Sequence, residues 1–160
     1  MKNLMKCIFI FALAFGSAHA QNNYSFSVYL KDQMIEVSVD GLLLKTIPCS
    51  TGIKPGSTPT GRFKTYSKKE KGIWVEQDGT QIMYYYITKF NGDISFHSLI
   101  EGNHAFVEEG KKRYEARKPS SMGCIRLQKE DARWIYDLPL EMAVEIIDDF
   151  SPIQNQNLYI

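Results

Sequence analysis

A mostly-β domain, a sandwich or curled mixed sheet with one clear helix and a charged insertion, is the fold class this sequence predicts. Three observations carry that prediction. Apolar residues alternate with period 2 through the first two thirds of the chain, turn dipeptides interrupt the alternation at short intervals, and helical spacing is plain in one place only. A chain of 160 residues has room for one ordinary domain. At 44% hydrophobic and 23% charged it is too apolar for disorder, and 11 Gly and 6 Pro are too few for low complexity.

Residues 1–20 stand apart from that domain. Lys2 and Lys6 precede an apolar run from Cys7 to Phe15, and Ala18 and Ala20 supply the small residues that signal peptidase requires. The run is well short of the roughly 20 residues that span a bilayer. It therefore reads as a secretory signal, with an uncleaved anchor as the alternative, and no stable membrane span is expected. The expected product is a single domain over 21–160, located in the periplasm or the cell wall and extracellular space. Cys7 lacks the small residues before it that a lipoprotein site needs.

Within the mature segment, Phe26, Val28 and Leu30 alternate with more polar neighbours, as do Ile35, Val37 and Val39. Asp40-Gly41 supplies a hairpin turn, and Leu42–Pro48 is the returning strand. The loop 50–60 carries Gly52, Pro55, Gly56 and Pro59, and Phe63 and Thr65 begin another strand. Asp78-Gly79 turns between strands at Ile73–Glu76 and Gln81–Phe90, and Asn91-Gly92-Asp93 turns into Ile94–His97. Tyr84, Tyr85 and Tyr86 alternate on a strand, so Tyr85 is expected to face away from the other two. Leu127, Trp134, Ile135 and Leu138 share one face of a helix over about 128–138, which Pro139 ends and Ala143–Ile147 follows as a final strand. The stretch 101–119 is polar and charged, a surface excursion with some helix. Lys68-Lys69-Glu70-Lys71 and Lys111-Lys112-Arg113 read as solvated loops.

Charge and cysteine count narrow the chemistry. Removing Lys2 and Lys6 takes 19 basic residues to 17, against 18 acidic, so no field favours nucleic acid. Without the first twenty residues only Cys49, Cys124, His97 and His104 remain of their types. Cys124 sits in Ser121-Met122-Gly123-Cys124-Ile125-Arg126-Leu127, just before the helix, where the helix dipole and Arg126 both favour a thiolate. Gly123 lets the backbone approach a substrate, and N–H groups at 122–124 can face an oxyanion. A buried, inert cysteine is the structural alternative. His97 closes a hydrophobic strand, where it can take the Cys124 proton while a backbone carbonyl near Ser98 fixes its tautomer; a solvated strand-end histidine is the alternative there. His104, in the polar stretch, ranks behind it. No metal is expected, because the two histidines and two cysteines show no paired ligand spacing, and no cofactor is implied.

Five segments in order resemble the L,D-transpeptidase (YkuD-like) catalytic domain family: Ser50-Thr51-Gly52, the run from Pro55 to Phe63, Phe96-His97-Ser98, Ser121 to Leu127, and the helix from Asp131 to Tyr136. The likeness covers nearly all of 24–148. It implies a mostly-β fold in which Cys124 is the nucleophile and His97 its base. Ser98 and Gly123 complete the catalytic group, with Ser121, Met122 and Arg126 on the substrate side. In this family the enzyme cuts before the terminal D-alanine of a peptidoglycan tetrapeptide stem, and an amine of a neighbouring stem resolves the acyl-thioenzyme as a 3→3 cross-link. Water as acceptor makes a carboxypeptidase instead, and some members attach wall proteins. Stem peptides are thus the implied donor and acceptor, carbapenem-type β-lactams the implied covalent inhibitors, and the enzyme is taken as a monomer.

The sequence departs from the commonest family pattern in three places. Met122 stands where histidine usually precedes the Gly-Cys pair, and Arg126 stands where asparagine often ends the motif. Arg126 can bind a substrate carboxylate or brace the loop. His97 and Ser121 are 24 positions apart, a long spacing that the charged insertion accounts for, and the insertion is expected as a lid or wall over the cleft. Two rival readings stand beside this one: a wall-binding β-domain stapled by a Cys49–Cys124 disulfide, and a secreted Cys-His hydrolase of wall peptides.

Overall fold

The computed structural model describes residues 23–153; the secretory signal expected over residues 1–20 lies outside the described residues. Strands β1 (Tyr24–Tyr29), β2 (Met34–Val39) and β3 (Leu42–Pro48) form an antiparallel meander. Asp40 (φ 51°) and Gly41 (φ 81°) join β2 to β3, both in the left-handed region that a two-residue hairpin turn requires. Next come β4 (Gly61–Lys64), β5 (Ser67–Val75), β6 (Gln81–Asn91) and β7 (Ile94–Ser98). Helix α1 (Ala105–Glu115), β8 (Ile125–Leu127), helix α2 (Lys129–Asp137) and β9 (Ala143–Ile147) complete the order.

These strands build two mixed sheets, ordered β3-β2-β1-β9-β4 and β5-β6-β7-β8. β9 returns parallel to β1, and β8 runs parallel to β7. The sheets face each other across a core of Phe26, Ile35, Ile47, Phe96, Ile125 and Ile146, closed by Ala132 and Ile135 of α2. Phe96 is the hinge of that packing, with ring centroids 5.5 Å from Phe26 and 5.0 Å from Phe90. Burying such a ring stabilises the fold by about 3 kcal/mol, and here it also anchors the strand that carries His97. Among the described residues no helix is long and apolar enough to cross a membrane.

The mostly-β sandwich matches expectation, and several local expectations do not survive. The lysine run 68–71 lies inside β5 rather than in a loop. β5 is an edge strand, so it pairs with β6 on one side only and its long charged side chains reach water from either face. The excursion 101–119 holds an 11-residue helix, α1, whose buried residues Val107, Gly110 and Tyr114 keep helical spacing within a charged sequence. Val107 joins Ile82 and Ile100 in a second small core, which pins α1 to the sheet beside the cleft. Tyr86 adopts φ 57° and shifts the phase of β6. Tyr84 therefore faces His97, while Tyr85 and Tyr86 touch one another at 6.4 Å instead of pointing apart.

Candidate active site

Cys124 and His97 line one open cleft of about 510 Å³. His97 lies on β7 in register with Arg126 of the parallel strand β8, and Cys124 stands immediately before β8. The position of Cys124 corrects one sequence argument. Strand β8 separates it from α2, whose N-cap is Gln128, and a helix dipole fades within its first turn. The thiol therefore gains nothing from that dipole. Its actual neighbours are the Ser95 hydroxyl, 3.7 Å from Sγ, and the Asp93 carbonyl, to which the thiol donates at 3.5 Å.

His97 is only 5% exposed, and its Nδ1 lies 2.6 Å from the Ser98 carbonyl oxygen. That oxygen only accepts, so Nδ1 carries the proton and Nε2 keeps its lone pair. Burial pushes the imidazole down from 6.5 to about 4; the Ser98 bond opposes the fall, and the Arg126 guanidinium adds to it. At neutral pH the ring is thus an uncharged proton acceptor. Ser98 contributes its carbonyl rather than its hydroxyl, which donates to the Leu99 carbonyl at 2.7 Å and accepts from the Tyr85 amide. Tyr84 packs on the imidazole with ring centroids 4.9 Å apart.

The loop before Cys124 is held from within. Ser121 Oγ donates to the Cys124 carbonyl at 2.5 Å and accepts from the Gly123 amide at 3.0 Å. The Ser121 hydroxyl and the Gly123 amide are therefore committed to the loop itself, which narrows the expected donors at 122–124 to the amides of Met122 and Cys124. Gly123 has φ 146°, and a Cβ there would stand 2.5 Å from the Ser57 carbonyl oxygen and 2.7 Å from Ile94 Cδ1. The missing side chain here lets the loop pack closely against the Ser57 backbone and Ile94.

Thr58, 3% exposed, ties the two loops together by donating to the Gly123 carbonyl at 2.8 Å and accepting from the Gly52 amide at 2.9 Å. Thr51 completes the brace, since its carbonyl accepts from the amides of Ser120 and Ser121. Thr58 falls inside the run from Pro55 to Phe63, but neither it nor Ser95 is singled out as a site residue by the sequence. The period-2 offset from His97 is the signal by which Ser95 is found.

Arg126 is buried beneath α1, and its Nη1 donates to the Ser120 carbonyl at 2.8 Å. Of its two expected roles, bracing the loop is the one its contacts fill. Its side chain also lines both the main cleft and a smaller cavity of about 210 Å³ between Trp74, Phe106 and Met122. Met122 projects at the rim, 80% exposed. α1 lines the smaller cavity through Phe106, Glu109, Gly110 and Arg113 rather than the cleft of Cys124 and His97, so it is not the wall expected over that cleft; Phe106 stacks on Trp74 at 5.3 Å. Lys69 and Lys89 also line the cleft, and Lys89 is paired with Asp93 at 2.8 Å.

Cys49 and Cys124 are both free, which removes the stapled-module reading. Cys49 is fully buried, and desolvation drives its thiol far above the ordinary range, so it is an inert core residue. His104 caps α1, accepting from the Phe106 amide at 3.4 Å. Among the described residues no group of three or more His, Cys, Asp or Glu side chains could hold a metal ion.

Comparison with known proteins agrees with this architecture. The family model for the L,D-transpeptidase catalytic domain matches residues 23–146. A provisionally assigned L,D-transpeptidase of Bacillus subtilis (strain 168), YciB, is 30% identical over 122 residues, covering 73% of this chain and 61% of its own length. The chain thus spans about three fifths of that relative. The structure of the L,D-transpeptidase LdtMt1 in complex with imipenem superposes with a TM-score of 0.63 at 22% identity, covering 79% of this chain and 59% of that one. L,D-transpeptidase 3 of Mycobacterium tuberculosis, in complex with a faropenem-derived adduct, gives 0.61 at 20% identity over 79% and 61%. An L,D-transpeptidase from Mycobacterium smegmatis gives 0.61 at 21% identity over 79% and 59%. At these identities the structural likeness establishes the fold. With the fold, the cysteine–histidine cleft and a family match across most of its length, the chain belongs to the L,D-transpeptidase catalytic domain family.

Proposed function

We propose that this protein is a cysteine L,D-transpeptidase acting on peptidoglycan tetrapeptide stems. The observation that carries the reading is the shared cleft of Cys124 and His97, with His97 Nδ1 locked on the Ser98 carbonyl so that Nε2 is its free base. Acylation begins as His97 Nε2 takes the Cys124 proton and the sulfur attacks the carbonyl before the terminal D-alanine. The amides of Met122 and Cys124 receive the oxyanion. The tetrahedral intermediate collapses as the C–N bond breaks, and His97 returns the proton to the leaving D-alanine amine. An amine from a neighbouring stem then attacks the thioester and gives a proton to His97. The C–S bond breaks, and the proton returns to sulfur, leaving a 3→3 cross-link.

Burial keeps His97 uncharged at rest, ready to take a proton as attack begins. Lys69 gives the cleft a cationic lining suited to the carboxylates of a stem peptide. The basic head, apolar run and small residues of 1–20 support export across the cytoplasmic membrane, and the enzyme is taken to act there as a monomer.

The test is intact mass after incubation with a carbapenem, beside a Cys124→Ala control. One adduct on the wild type and none on the control is the expected result; a folded wild type that takes up none overturns the acyl-transfer reading. Stem tetrapeptide with and without an added amine then separates transfer from hydrolysis. Release of the tripeptide alone, at the same rate in both, means that water is the acceptor and the enzyme is a carboxypeptidase.

A further inference from the structure

Ser95 precedes His97 by two residues on β7, so strand alternation turns both side chains toward Cys124. It is 2% exposed, and Cys124 Sγ, at 3.7 Å, is the one hydrogen-bond partner of its hydroxyl among the described residues. Donor and acceptor follow from what each group has in reach. A buried hydroxyl needs an acceptor for its proton, and for Ser95 that acceptor is the sulfur. The thiol proton has an acceptor of its own, the Asp93 carbonyl at 3.5 Å. The consistent arrangement is Ser95 O–H to sulfur, and S–H to Asp93.

We infer that Ser95 is a further catalytic residue, whose hydroxyl donates to the Cys124 sulfur and stabilises the thiolate formed when His97 takes the thiol proton. The inference rests on the reading of Cys124 as nucleophile. The charged and titratable groups around the sulfur are Lys69 of β5, Tyr84 and Lys89 of β6, Asp93 of the following turn, His97 of β7 and Arg126 of β8. Lys89 and Asp93 neutralise one another, and none of these cations donates a hydrogen bond to the sulfur among the described residues. Ser95 is the side-chain donor already in place. Its own proton stays on its oxygen throughout. The same bond steadies the sulfur again as it leaves the thioester, so both half-reactions use it.

The experiment compares wild type with Ser95→Ala, and Ser95→Thr with its isostere Ser95→Val. Iodoacetamide alkylation of Cys124 is followed against pH by intact mass, and carbapenem acylation is timed on the same proteins. A hydrogen bond to a charged group predicts that Ser95→Ala moves half-maximal alkylation up by about one pH unit and slows acylation about tenfold. Ser95→Thr should stay close to wild type and Ser95→Val should behave like Ser95→Ala, a contrast that decides the matter if the alanine variant fails to fold. Unchanged profiles and acylation rates in folded Ser95→Ala, or equal behaviour of Thr and Val, overturn the role. A wild type that alkylates normally but resists every carbapenem counts against the transpeptidase reading instead, and the alkylation profiles then decide Ser95 alone.

Discussion

Burial of His97 links folding to pH, and the size of the link follows from the site. Packed under Tyr84, the imidazole is held at about 4, against 6.5 in an unfolded chain. Between those values the unfolded state binds a proton that the folded state refuses. The stability in question is therefore complete above pH 6.5 and is lost as pH falls toward 4. The whole gap is worth about 3 kcal/mol at about 1.4 kcal/mol per pH unit. By pH 4.5 roughly 2 to 3 kcal/mol of it is gone.

The perturbation is His97→Gln, which keeps an amide donor for the Ser98 carbonyl and removes the titration. Urea unfolding of both proteins, followed by tryptophan fluorescence at pH 7.5 and 4.5, isolates the effect, because the carboxylates titrate alike in the two. Wild type should lose about 2 to 3 kcal/mol more than the variant between the two pH values, a difference of about 1 to 2 M in urea midpoint. Equal losses in the two proteins would refute the reasoning: His97 would then take up its proton in the folded state as easily as in the unfolded one.

Three further outcomes test the loops around Cys124. Gly123→Ala forces a Cβ to 2.5 Å from the Ser57 carbonyl oxygen at φ 146°, and should cost about 3 kcal/mol or more, lowering the melting temperature by roughly 10 °C in calorimetry. Thr58→Val deprives the Gly52 amide and Gly123 carbonyl of their partner. It should destabilise the fold by about 2 to 3 kcal/mol and slow carbapenem acylation by letting the nucleophile loop drift. Met122→Ala, at an 80% exposed position, should leave the unfolding midpoint within about 0.5 kcal/mol of wild type, so any change in stem-peptide turnover reports on the cleft rim.

The sequence by itself determined the β-rich class, most strand positions, the Asp40-Gly41 hairpin and α2, because each of these follows from neighbours in the chain: period-2 alternation, a turn dipeptide, a 3.6-residue stripe. It also singled out Cys124 and His97, since few residues of their types lie beyond residue 20 and both sit in motifs. What it left undecided depends on partners distant in sequence. Helix α1 is highly charged, and what reveals it is the surface that Ile82 and Ile100 offer to Val107. β8 has three residues and exists because β7 lies beside it, so the local sequence alone sets Cys124 against the helix rather than ahead of a strand. The phase slip at Tyr86, the commitment of Ser121 and Gly123 to their own loop, and the placing of Ser95 against the sulfur are all set by contacts across the fold. Only the tertiary structure decided them, because the free energy of a buried hydrogen bond or a packed wall belongs to the pair of segments that meet, and neither segment alone encodes it.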